Sequence, residues 1–164
     1  MPFRSNCLGI PSLGESTMTK VFYGLLLANM MIGSVFASET PEKLFDNYLS
    51  DFNAQDTMKI ERNFSFPLVF IQNGKKSILN DVSAFLNFDK IKETGWNRSA
   101  INSLTLLFEK TNSAIAQMNF SRINNAGNVY LQTDGNYILT KENGQWYISG
   151  IMIDTDIPLG TDYD

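Results

Sequence analysis

The chain has 164 residues, enough for one domain with one core. It is 43% hydrophobic and 18% charged, a balance that excludes disordered, collagenous and repeat-array classes. The net charge of −4, with basic residues scattered singly or as Lys75-Lys76, argues against nucleic acid, whose backbone demands concentrated positive charge.

Residues 18–37, MTKVFYGLLLANMMIGSVFA, read as a secretory signal peptide. Lys20 supplies a short basic region, Val21–Phe36 an apolar run, and Val35-Phe36-Ala37 the small-residue spacing of a cleavage site. The run is short for a bilayer span of ~20 residues and is interrupted by Gly24, Asn29 and Gly33. Cleavage after Ala37 is therefore expected, leaving no stable membrane span and a secreted or periplasmic protein. Residues 1–17 stand awkwardly before such a signal, which suggests that translation begins at Met18 rather than Met1. The single cysteine, Cys7, falls in that leader, so the mature chain is expected to carry no thiol.

Thr40-Pro41-Glu42 has the hydroxyl, proline and acid of a helix start. Leu44, Phe45, Tyr48, Leu49 and Phe52 then recur at helical spacing. Asp56-Thr57 caps a second, short helix through Met58, Ile60 and as far as Phe64, which Pro67 is expected to stop. Asn73-Gly74 marks a hairpin joining strands at 69–72 and 76–79. Asn80-Asp81 caps a third helix with Val82, Phe85, Leu86, Phe88 and Ile91 on its buried side, ending at Thr94-Gly95.

From Ile101 onward the alternation is that of sheet. Leu104, Leu106 and Phe108 form one face of a strand, and Ala114, Ala116, Met118 and Phe120 one face of the next. Turns at Asn124–Gly127 and Asn143-Gly144 separate two further strands carrying Tyr137 and Leu139, then Trp146 and Ile148. Gly135, inside the long strand, predicts a bulge that bends the sheet. The domain is thus expected over residues 38–153, followed by a solvated acidic tail at 154–164.

The order of these elements describes an α+β domain with three N-terminal helices packed on a strongly curved antiparallel sheet. The segments LFDNYLSDFNAQD, FPLVFIQNGKKSIL and NDVSAFLNF, followed by FSRINNAGNVY and YILTKENGQWYI, resemble the NTF2-like superfamily in its SnoaL-like and DUF4440-like branches. That resemblance covers nearly the whole mature chain and implies a cone whose cavity lies between helices and sheet. It leaves activity open, since such cones serve isomerases, cyclases, dehydratases and transport factors. A cystatin-like fold, with one helix on a meander, is the alternative.

No histidine occurs in the sequence. Without histidine or a mature cysteine, Ser-His-Asp and Cys-His machinery and His-based zinc or iron sites are unavailable, and no metal or other cofactor is implied. The chemistry the resemblance implies, proton transfer beside a carbonyl, would need a pocket carboxylate and a tyrosine. Asp51 and Tyr48 on the first helix are the candidates. Asp51 is otherwise a solvated acid and Tyr48 a core tyrosine.

Tyr48, Phe52, Phe85, Met118 and Trp146 are candidate lining residues for a small apolar or amphipathic ligand, each equally explicable as core. Arg122 is either an anion clamp in the cone or, as expected of a strand-end cation, solvated. Three readings follow: a binding cone, an isomerase- or dehydratase-like enzyme using Asp51 and Tyr48, or an interaction module with a filled pocket that dimerises through its sheet.

Overall fold

Helix α1 (Pro41–Asn53) starts where the sequence supplies a cap: the Thr40 side chain accepts from the Lys43 N–H, with Pro41 in the first turn. Its buried stripe includes Leu44, Phe45 and Phe52. The computed structural model describes residues 40–157 and Leu159. The leader and signal peptide expected over residues 1–37, with Cys7, Met18 and Lys20, lie outside them. Among the described residues no helix is long and apolar enough to cross a membrane.

Helix α2 (Thr57–Glu61), capped by Asp56, is shorter than expected. Met58 is 74% exposed, and Phe64 opens strand β1 (Phe64–Gln72) rather than closing a helix. Pro67 lies inside β1, after a cis peptide bond, where pairing with the neighbouring strand is interrupted between Phe64 and Val69. A residue without an N–H costs no ladder bond there. β2 (Lys75–Leu79) returns across the Asn73-Gly74 turn, both of whose residues have positive φ.

The third helix is split. A 3-10 turn (Val82–Ala84), capped by Asp81, precedes α3 (Phe88–Glu93), capped by Asn87. The Asn87 side chain takes the Lys90 N–H, starting a fresh helix in place of continuing the old one. Val82, Phe85, Leu86 and Ile91 are all buried, as their spacing predicts.

Four long strands complete the sheet: β3 (Trp96–Glu109), β4 (Ser113–Asn124), β5 (Val129–Glu142) and β6 (Gln145–Ile153). The order is β2-β1-β6-β5-β4-β3. Every neighbouring pair is antiparallel except β1 and β6, which run parallel, so the sheet is mixed rather than wholly antiparallel. α1 packs on β3 and β6, placing the core between helices and sheet.

The bends are not where the glycine suggested. Gly135 pairs in regular register with Met118 and Ile153. The register instead shifts between Ile138 and Leu139 against β6, between Arg122 and Ile123 against β5, and at three places along β3. One shift skips Ser149, so that Trp146 and Ile148 face inward, then Ile151 and Ile153, while Met152 is exposed. Another turns Phe108 over to pair with exposed Ile115, two residues after Leu106 pairs with buried Ala116. Such shifts add twist and close an open sheet into a cone wall.

Gly135 has a different use. A Cβ there would stand 2.9 Å from the Tyr137 ring and 3.3 Å from Ile153. The missing side chain admits that ring, which packs edge-on against Phe45 at 5.1 Å. Gly135→Ala is expected to destabilise the domain by about 1–3 kcal/mol, the usual cost of overpacking. Urea denaturation reads the change, and an unaltered midpoint would show that the ring yields freely.

Candidate functional site

Strand β4 builds one wall of a cavity. Its inward-facing residues are Ala114, Ala116 and Met118, then Phe120 and Arg122, a strict period of two. Ala114 and Ala116 fill the core. Met118, Phe120 and Arg122 reach the cavity, where Tyr48 and Phe52 of α1, Phe85, Tyr137 of β5 and Ile151 and Ile153 of β6 meet them. Ile157 and Leu159 close one side. The cavity volume is about 40 Å³. The interior holds about three waters or one carboxylate-sized group.

Four of the five lining residues proposed from sequence meet here: Tyr48, Phe52, Phe85 and Met118. Trp146 does not. It is buried beside the β5–β6 turn, opposite Lys141, whose ammonium lies 5.3 Å from its ring centroid. The cavity opens nearer the other end of β6, at Ile151 and Ile153. Asp51 is also absent from the wall. Its carboxylate accepts from the Asn63 side chain at 3.0 Å, tying α1 to the start of β1. Among the described residues no Asp, Glu or Lys lines the cavity. Nor do they gather three or more acidic or thiol side chains that could hold a metal ion.

Arg122 is the correction that matters most. Expected as a solvated strand-end cation, it is 1% exposed. Burial pulls its guanidinium below the ordinary arginine value. The Tyr130 hydroxyl, hydrogen-bonded to it, pushes the other way, as do Tyr48 and Tyr137. An arginine so placed stays charged. The signal was present in the sequence: 114, 116, 118 and 120 continue to 122 without a break.

The strand beside it is pinned by a small network. Asn53, ending α1, donates to the Ser99 carbonyl at 3.0 Å and accepts from the Ser99 N–H at 2.7 Å. The Trp96 indole donates to the Ser99 hydroxyl at 3.0 Å. Ser99 lines the cavity and pairs with Arg122 across the sheet. Tyr48 is held by edge-on contacts with Phe52 and Phe64.

Of the tail expected to be solvated, the described residues 154–157 and Leu159 instead dock. Gln72 donates to the carbonyls of Thr155 and Ile157, and the Asn87 N–H to that of Leu159. Asp154 and Asp156 remain exposed while Ile157 is buried with the core.

Together these features define an α+β cone with an internal, mostly apolar cavity. The family model described as "NTF2-like protein (DUF6841)" matches residues 38–156, and the chain belongs to that family. A search of curated proteins finds no match. Solved structures share the fold. One is a protein of unknown function from Mycobacterium tuberculosis, 18% identical, with a TM-score of 0.57 over 70% of this chain and 69% of the other. A Nostoc punctiforme protein of unknown function, described as cystatin-like in fold, is 15% identical, with a TM-score of 0.58 over 73% and 90%. An NTF2-like protein of unknown function from Shewanella oneidensis is 13% identical, with a TM-score of 0.51 over 70% and 95%.

Burial pushes the Tyr48 phenol up to about 12, against the opposing pull of Arg122, although part of its surface stays accessible. Tyr137 is raised for the same first reason. A phenol raised in the folded state favours folding while neutral. Its contribution is fully present below pH 10 and is lost as the pH climbs through about 12. Denaturation midpoints should fall across that window, and fall less in Tyr48→Phe. Equal slopes for the two proteins would refute the assignment.

Proposed function

We propose that this is an exported domain that binds one small amphipathic molecule in its cone without transforming it. The single observation that carries the reading is the cavity itself. Its lining is apolar but for a few polar groups, the composition of small-molecule sites. The enzymatic alternative needs a carboxylate base beside Tyr48, and Asp51 is committed to Asn63. Export is supported by the basic and apolar pattern over residues 18–37.

Native mass spectrometry of the protein purified from its own host tests both parts. The expected species begins at Ser38 and carries a small-molecule adduct that denaturing solvent releases. A chain that arrives bare, and stays bare when its host's metabolite extract is added, overturns the binding reading. A retained residue 18–37 segment overturns export.

A second reading, homodimerisation through the outer sheet face, is favoured by one row of side chains. Phe108, Ile115 and Ile138 are cross-strand neighbours and are 44%, 39% and 50% exposed. Adjacent exposed apolar residues on a sheet suit a self-complementary contact. Light scattering should then give a dimer mass for the native protein and a monomer for Ile115→Lys/Ile138→Lys. A native monomer at high concentration would eliminate this reading.

A further inference from the structure

Building on the cone-binding reading, we propose that the ligand is a small monocarboxylate, its carboxylate seated on Arg122 and Tyr48 and its apolar part against Phe52, Phe85 and Met118. Three observations lead there. First, Arg122 is the one charged residue among the described lining, and it sits on a wall otherwise made of phenyl, aliphatic and hydroxyl groups. An ammonium ligand would meet that guanidinium in a low-dielectric site and be repelled. Second, the polar groups around it are neutral hydroxyls. Tyr48 and Tyr137 are raised by burial, so at neutral pH they offer O–H donors rather than negative charge. A guanidinium fork beside a phenol donor matches the two oxygens of a carboxylate.

Third, the dimensions agree. The cavity of about 40 Å³ is small, as a small monocarboxylate requires, and Phe52, Phe85 and Met118 line it together with Arg122 and Tyr48, so an alkyl or phenyl portion would meet them there. Arg122 is placed for this by secondary structure alone, as the last inward residue of β4. Ser99, its cross-strand partner, is held by Asn53 and Trp96, which keeps that side of the site rigid.

Calorimetric titration of the whole protein with hexanoate and benzoate, against hexanol and benzyl alcohol, tests the assignment. The acids should bind about 10- to 100-fold more tightly than the matching alcohols, the range expected of a charge-assisted pair. Arg122→Gln should bring the acids down to the alcohols' affinity, and Tyr48→Phe should weaken the acids alone. Alcohols binding as tightly as acids to the native protein would overturn the carboxylate assignment while leaving the cone-binding reading intact. A folded Arg122→Gln protein that keeps the acid preference would also overturn it. Should that variant fail to fold by circular dichroism, the acid-to-alcohol ratio of the native protein and the Tyr48→Phe variant decide. Native protein that binds neither acids nor alcohols counts against both readings.

Discussion

A guanidinium buried under the helices of this domain is the constraint around which its interior is arranged. Taking a cation out of water is costly, and a core of phenylalanine and isoleucine offers nothing in return. The chain answers with phenols drawn from two elements: Tyr48 from α1, and Tyr130 and Tyr137 from β5, all of which act on Arg122. Tyr130 is itself anchored, its hydroxyl 2.9 Å from that of Thr94 at the end of α3. Gly135 leaves the space that Tyr137 occupies. The polar heart of the cone thus ties together α1, α3 and the central sheet. A purely apolar core of equal volume would often be as stable, so packing alone does not explain the charge there.

The sheet's irregularities serve the same geometry. A flat sheet would present each strand's inner residues to a slab-like core. One-residue register shifts along β3, and others in β5 and β6, turn the wall so that residues from distant strands face one another. They also decide which side chains reach the cavity. The shift past Ser149 exchanges the parity of β6, bringing Ile151 and Ile153 inward and sending Met152 out. The same device on β3 places Phe108 on the outer face.

That is also where sequence reasoning stops. Uninterrupted alternation is legible, and along β4 it specifies the inner wall from Ala114 to Arg122. At Arg122 two signals conflict: residue type, a cation near a turn, points to solvent, while its place in the alternation points inward, and the alternation prevails. The Asn-Gly turns and the caps at Thr40, Asp56 and Asp81 are equally legible, because each is a local bargain between a side chain and nearby N–H groups. A register shift has no such local mark, and the glycine that seemed to promise one serves packing instead. Trp146 illustrates the cost: its inward direction was correct, but its height in the cone was not. Nothing in its neighbours shows that the cavity lies at the opposite end of β6.

The far side of the cavity follows a different logic again. Thr155, Asp156, Ile157 and Leu159 lie outside the strands, and polar bonds hold these residues in place. Thr133 and Thr155 share a hydrogen bond at 2.9 Å, Asn73 bonds to Asp156, and Gln72 grips two carbonyls. Exposed acids and a buried Ile157 alternate along it, so by composition it resembles a tail and by pattern a wall. Ile157 and Leu159 fall just past residues 38–156, the span shared with the family. The segment hangs by its backbone carbonyls from Gln72 of β1, while the Ile157 side chain packs in the core. The cation on β4 and the apolar closure after β6 are therefore held by different means, a strand's alternation in one case and side-chain bonds to backbone carbonyls in the other. One sets the charge of the cavity lining, and the other supplies part of its apolar side.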